Sequence, residues 1–455
     1  MMNQFWYIVK QFRGYILAGI LTAIVIGVFV FSGRSDLSEK HSKDDGNIKF
    51  LSLAWQIEAI TAVRDMVDRW NQAKPDHQVE LIQGTWNSVH DYLITGFETG
   101  DIPDIFHYES AIIVDFALRG YLADLAPYIS KELHDDVIDV AWSSVTRSDG
   151  QIIGVPFIAE SFIVMYNKKL FKESEINIPT FDNPWSWNDL QKAAKLLTLD
   201  KDKDGITDQW GVAIGLRSGA NLIMNHSIAF GGSYFYKDEN EQISARVGQP
   251  EKELLDIILT LLYKDKTMSP ASLGQSSSGL IPGFLAGKYA ILVGVGSWAR
   301  QQVTENAGKS FEWGVLPPLC AQSQLMGLNT QTFSIPKTSN KLSSAMEFLQ
   351  YLTNKENMAR LAKSDWMMPT RQSCLEMSEF NTEPDGWDVV TNSLRYLSSG
   401  PWVGTPGYIE WKSRVANPVF QELFSNRISL EKAAQRIELE SNSVLKRYQM
   451  RGISW

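Results

Sequence analysis

The sequence predicts an α/β protein with more than one compact domain, and three observations carry that expectation. Its 455 residues exceed what one hydrophobic core usually serves, so two domains are the default. Short apolar runs of strand length alternate with stretches whose apolar residues recur every three or four positions, the pattern of strands joined by helices. The composition, 44% hydrophobic and 21% charged, is that of an ordinary globular chain. A net charge of −9 leaves nothing basic enough to track phosphates, which sets nucleic acid aside as a partner.

In chain order, Lys10 and Arg13 precede an uncharged apolar run of 17 residues from Tyr15 to Phe31, which ends at Ser32-Gly33-Arg34. A basic flank before an apolar run has the form of an export signal. Its length also meets the lower limit of a membrane-spanning helix, about 17–25 residues. Residues 1–33 are therefore read as a signal or transmembrane anchor, with an uncleaved anchor through residues 15–31 favoured and the body outside. No cysteine follows the run, so a lipid anchor is not expected. Residues 34–47 are polar but for one leucine and read as a linker.

Ile48 to Trp55 is then a strand, followed by a helix with Ile60, Val63, Val67 and Trp70 at helical spacing. Val79 to Gln83 and Asp104 to Tyr108 are further strands. Ser186 and Asp189 form a capping pair that starts a helix through about Leu199. Trp210 to Ile214 and Ala290 to Val295 have the character of buried strands. Glu251 to Lys264 is amphipathic, with Leu254, Leu255, Ile258, Leu261 and Leu262 on its apolar side. Residues 269–282, rich in Ser and Gly, read as a surface loop. Cys320 and Cys374 lie 54 residues apart with no metal or redox spacing. They could pair if their Cα atoms lie within about 7 Å, or remain buried thiols.

Five segments, taken in order, resemble the family 1 extracellular solute-binding proteins of the maltose-binding type. The first is Gly100-Asp-Ile-Pro-Asp104-Ile, where a helix closes and a strand opens. The second, Gly154-Val-Pro-Phe-Ile-Ala-Glu160 and onward to Tyr166-Asn167, looks like the place where such proteins cross between lobes. The third is Phe284-Leu-Ala-Gly-Lys-Tyr-Ala, followed by a buried strand and Gly296-Ser-Trp298. The fourth is Met368-Pro-Thr-Arg371 after Trp366. The last is Asn417-Pro-Val-Phe-Gln-Glu-Leu-Phe-Ser-Asn-Arg427, resembling the family's closing helix pair. Each is loose alone; five in order are specific, and they span about Ile48 to Arg447.

The resemblance implies a two-lobed, type II periplasmic-binding-protein-like α/β fold with discontinuous lobes. Residues 48–158 with 328–366 would form the first lobe and 159–327 with 367–455 the second. It implies a monomer that catches a solute outside the membrane and delivers it to an ABC permease. Fifteen tryptophans favour a carbohydrate, since sugar C–H faces stack on indoles while hydroxyls need carboxylates, amides or Arg. Trp55, Trp86, Tyr108, Glu109, Glu160, Arg217, Asn221, Trp298, Trp366 and Trp402 are the candidate ligand-binding residues. Trp298 stands out, because a Gly-Ser turn at a strand end would hold its ring rigidly. Core packing is the competing role for each of these tryptophans, and is the role expected of Trp70, Trp210 and Trp313.

Asp200, Asp202, Asp204 and Asp208 fall at positions one, three, five and nine of an EF-hand-like loop, with Gly205 at six and Ile206 at seven. The twelfth position is Gly211, so the bidentate Glu is missing, and Lys201 and Lys203 weaken the local field. A calcium loop and a solvated turn remain the two readings, and no other cofactor is called for. Catalysis finds little footing. The six histidines (His41, His77, His90, His107, His134 and His226) lack metal spacing, and no Gly-x-Ser-x-Gly elbow occurs. Glu109 and Glu160 could be imagined as a glycosidase pair, but a hydroxyl-accepting role is preferred. A glycan-active secreted enzyme and a sensor feeding a membrane receptor are the alternatives to transport.

Overall fold

The computed structural model describes residues 47–450 apart from 240, 241, 309 and 401, so the expected signal or anchor and nearly all of the linker lie outside the described residues. Thirteen strands are described: β1 (Ile48–Ser52), β2 (Val79–Gln83), β3 (Ile105–Glu109), β4 (Val155–Glu160), β5 (Phe162–Asn167), β6 (Trp210–Ile214), β7 (Phe235–Lys237), β8 (Ile243–Ala245), β9 (Tyr289–Gly296), β10 (Trp313–Leu316), β11 (Met326–Ser334), β12 (Met368–Pro369) and β13 (Leu397–Ser399). They form two main sheets. The first runs β12-β4-β11-β3-β1-β2, with β13 also paired to β11, and the second runs β10-β5-β9-β6. β7 and β8 make a separate hairpin. Helices cover the sheets, and the fold class is the two-lobed α/β one expected.

The central feature is the passage from β4 to β5. The two strands are separated only by Ser161 yet belong to different sheets: β4 pairs with β11 and β12, β5 with β9 and β10. The segment that resembles the family's crossing between lobes is therefore two strands with a single-residue joint. The main core is built around the first sheet, with Phe50, Phe106, Phe157, Phe333 and Phe348 buried. A second core lies around β6, β9 and the closing helices, with Leu190, Ile223, Leu254, Phe420 and Ile437 buried.

Local signals decide most boundaries. Helix Ile57–Ala73 buries Val63, Met66, Val67 and Trp70 at helical spacing, while Ile60 is only partly covered. Ser186 and Asp189 form the capping box in both directions, Ser186 Oγ accepting from the Asp189 N–H at 3.1 Å and the Asp189 carboxylate from the Ser186 N–H at 3.1 Å. The expected helix over Glu251–Lys264 is α-helical over Gln249–Leu259 and continues as a π turn, Thr260–Lys264. The extra residue in that turn keeps Leu261 in the core while Leu262 is only partly covered. The Ser/Gly-rich stretch 269–282 is not all loop, since Ala271–Gly274 and Ile281–Leu285 are short helices. Cys320 and Cys374 are free thiols. Among the described residues no helix is long and apolar enough to cross a membrane.

Candidate functional site

Strand register builds the site. β11 runs antiparallel between β3 and β4, with Asn329 opposite Glu160 and Gln331 opposite Glu109. Two carboxylates at the ends of strands that flank β11 thus converge on the same Asn329 amide. Its Nδ2 donates to Glu109 Oε2 at 2.9 Å, and its side chain also hydrogen-bonds to Glu160. The Ser110 hydroxyl, at the start of helix Ser110–Leu118, donates to Asn329 Oδ1 at 3.4 Å and so fixes the amide orientation.

These groups open into a cavity of about 190 Å³ lined from both sheets. Glu109, Ala111, Glu160 and Asn329 come from the first sheet and its helix. Ser161 and Phe162 sit at the joint. Asn221, Asn225, Trp402 and Tyr408 complete the wall. The Tyr408 hydroxyl donates to Asn221 Oδ1 at 2.6 Å, which leaves the Asn221 amide N–H groups available. Trp402 is 4% exposed and wedged between Gly327 and Gly400, where a Cβ would lie 2.6 and 2.1 Å from indole carbons. The Trp402 Nε1, Asn225 Oδ1 and Ser161 Oγ atoms are buried without a protein partner. Buried polar atoms are rarely left so unless water or a ligand completes them.

The electrostatics are one-sided. Burial, then the neighbouring Glu109 charge, push the Glu160 carboxyl up to about 7, against hydrogen bonds from Asn329 and Trp298. Asp365, just after helix Lys355–Ser364, is 5% exposed and is likewise pushed up to about 7 by burial and by Glu160. Arg300, fully buried nearby, is committed to backbone carbonyls of Ser297, Trp366 and Asp385 at 2.9, 2.7 and 3.2 Å. His226, behind Phe162, is held neutral by burial, its value lowered to about 4.

Of the ten candidates from sequence, Glu109, Glu160, Asn221 and Trp402 line this cavity. Trp298 stands beside it: its side chain hydrogen-bonds to Glu160 and its ring meets Trp55 edge-on at 5.7 Å. Trp55 is 42% exposed at the rim of that pair. Trp86 packs on His107 and Tyr108, and Tyr108 itself is buried in the main core. Trp366, with φ 55, lies over Trp387 and under the Arg300 guanidinium. Arg217 is exposed and lies outside the cavity lining. Asn225, Asn329, Tyr408 and Asp365 were not found from sequence. Asp200, Asp202 and Asp208 do come together, with one oxygen from each within 4.8 Å of the others. Their loop carboxylates also accept backbone N–H groups, Gly205 N donating to Asp200 at 2.9 Å and Lys201 N to Asp208 at 2.7 Å. Ile206 is an exposed loop residue whose N–H donates to Asp204 at 2.7 Å.

Comparison with known proteins places this architecture. Residues 54–359 match the family model described as bacterial extracellular solute-binding protein. An uncharacterised lipoprotein encoded in the oleD 5′ region of Streptomyces antibioticus is 34% identical over 84% of this chain and 83% of its own length. The maltotriose-binding protein of Pyrococcus abyssi is 24% identical over 73% of this chain and 70% of its own. Among solved structures, an ABC substrate-binding protein of Listeria monocytogenes in complex with cycloalternan superposes with TM-score 0.71 at 24% identity, covering 88% of this chain and 99% of that one. The sugar-binding protein MalE of Xanthomonas citri gives TM-score 0.76 at 17% identity, covering 89% and 99%. With two sheets joined through Ser161, a polar cavity lined from both and a family match over most of its length, the chain belongs to the bacterial extracellular solute-binding proteins.

Proposed function

We propose that the protein binds a carbohydrate outside the cytoplasmic membrane and delivers it, unaltered, to an ABC permease. The observation that carries this reading is the cavity itself. Carboxylate and amide groups, unpaired buried polar atoms and a rigidly wedged indole combine hydroxyl partners with a stacking face. The maltotriose and cycloalternan of the similar proteins point to the same ligand class. At about 190 Å³ the cavity is smaller than the ~300 Å³ of a typical drug-sized site. One sugar ring would occupy it, with further units of an oligosaccharide reaching toward Trp55. A thermal-shift screen against a glycan panel tests the reading: a ligand at 100 times its Kd adds about 2.7 kcal/mol. Turnover of the bound glycan, followed by chromatography, would replace transport with catalysis.

The lobes are proposed as 48–158 with 328–366 and 159–327 with 367–455, the short strands β12 and β13 remaining paired to the first sheet. The protein is taken to act as a monomer, tethered through residues 15–31. Cell fractionation with N-terminal sequencing checks the tether: an intact N-terminus in membranes supports it, and a soluble form beginning near Gly33 overturns it. Calcium is proposed for the Asp200–Asp208 loop as a structural ion, since three carboxylates already converge there.

A further inference from the structure

The cavity carries more negative charge than a neutral sugar requires. Glu109 and Glu160 share one Asn329 amide, and Asp365, buried with its Oδ1 unpartnered, lies within electrostatic reach of Glu160. Among the described residues no Lys, Arg or His lines the cavity. The basic groups around it are otherwise engaged or neutral. Arg300 holds three carbonyls, Lys363 donates to the Glu379 carbonyl at 2.8 Å, and His226 stands behind Phe162. A hydroxyl-binding site needs acceptors, but amides or one carboxylate supply them without the cost of confining like charges. Phe162, Trp402 and Tyr408 add aromatic rings to the wall. The electron-rich faces of such rings attract cations, most strongly where water is excluded.

We infer that the ring held in this cavity bears a protonated amine, so that the ligand is an amino sugar or a glycan containing one, with its ammonium between Glu109 and Glu160. The inference rests on the carbohydrate reading above and names the ligand's charge. An ammonium compensates both carboxylates at once and donates to each, whereas a neutral ring leaves them facing one another.

The test is titration calorimetry on the full-length protein near pH 7.5. The probes are glucose derivatives with a single amine at carbon 2, 3, 4 or 6, together with glucose, their N-acetyl forms, and choline as a cation that is not a sugar. One amino sugar should bind about tenfold or more tighter than its neutral and acetylated counterparts. Glu160→Gln and Glu109→Gln should each erase most of that preference, with cooperative melts showing that the variants fold. The comparison in the unaltered protein stands even if a variant does not fold. Equal or tighter binding of the neutral sugars would overturn the charge proposal and leave the carbohydrate reading in place. Choline binding with no sugar bound would overturn the carbohydrate reading and with it the amino sugar. No binding by any probe would remove both.

Discussion

Replacing Glu160 by Gln should stabilise the unliganded protein at alkaline pH, an unusual direction for a mutation in a binding site. The carboxyl sits beside Glu109 from β3 and faces Asp365 after helix Lys355–Ser364, with only the neutral donors Asn329 and Trp298 to oppose them. Burial and then the Glu109 charge move it from 4.5 to about 7. Each tenfold change in a protonation equilibrium is ~1.4 kcal/mol, so the ionised form is disfavoured by up to about 3 kcal/mol. The sign follows from linkage. An acid whose folded value is raised contributes full stability below its unfolded value and loses it as pH climbs through the folded one. The loss therefore falls between about pH 4.5 and 7 and is complete by pH 8.

The amide introduced by Glu160→Gln would keep an acceptor for Asn329 and Trp298 while removing the charge, and would relieve Asp365 as well. At roughly 2.1 cal/mol/K per residue, 3 kcal/mol over about 400 residues is a Tm gain of about 3–4 °C. Paired thermal melts of Glu160→Gln and the parent at pH 8 and pH 4.5 should show that gain at pH 8 and none at pH 4.5. A gain independent of pH, or a loss at pH 8, would mean that Glu160 is already compensated and that the account of the cavity's charge is mistaken.

Other residues can be probed in the same way. Trp402→Ala should weaken sugar binding by about tenfold or more, as truncation of a buried aromatic anchor commonly does, measured by calorimetry. Trp298→Phe keeps a ring but removes the N–H that supports ionised Glu160, so its penalty should appear in melts above pH 7 and vanish near pH 4.5. Arg371, only 3% exposed, binds the Thr353 carbonyl at 2.8 Å and Asp136 at 2.9 Å, with Glu132 as a further partner. Arg371→Ala should cost about 3 kcal/mol by urea unfolding, because it strands those acceptors. EGTA should lower the Tm of the parent but not of an Asp200→Asn, Asp208→Asn double variant if the loop holds calcium; equal melts would leave it a solvated turn.

The fold was legible where one residue type does one job. β1, β2 and β6 are short apolar runs, the Ser186 cap is a local motif, and Gly154-Val-Pro announces the crossing. What hydropathy could not reveal is β11, Met-Gly-Leu-Asn-Thr-Gln-Thr-Phe-Ser, the strand that organises the site. Its Thr330, Gln331 and Thr332 are buried, a position polar residues occupy only when satisfied. Gln331 bonds His107 at 3.0 Å, Thr332 donates to the Tyr108 carbonyl at 2.7 Å, and the Thr330 and Ser144 hydroxyls pair at 2.7 Å. Those partners are distant in sequence, so a run that reads as a polar loop becomes a central strand only through tertiary bonds. Asn329 was hidden with it. Arg217, a candidate for its charge, sits exposed outside the cavity, beside Ser218 in a left-handed turn at φ 57.

The same strand suggests how ligand and closure are coupled. Glu109, Asn329 and Glu160 belong to the first sheet, whereas Trp402 and Tyr408 are buried in the second core and Trp298 follows β9 of the second sheet. The desolvation that raises Glu160 is thus imposed partly by groups from across the cleft. Part of the cost of ionised Glu160 at pH 8 therefore depends on how closely the groups of the second core approach it. A ligand that supplies donors or positive charge to Glu160 removes that cost only in the closed form, which is the differential interaction a population shift requires.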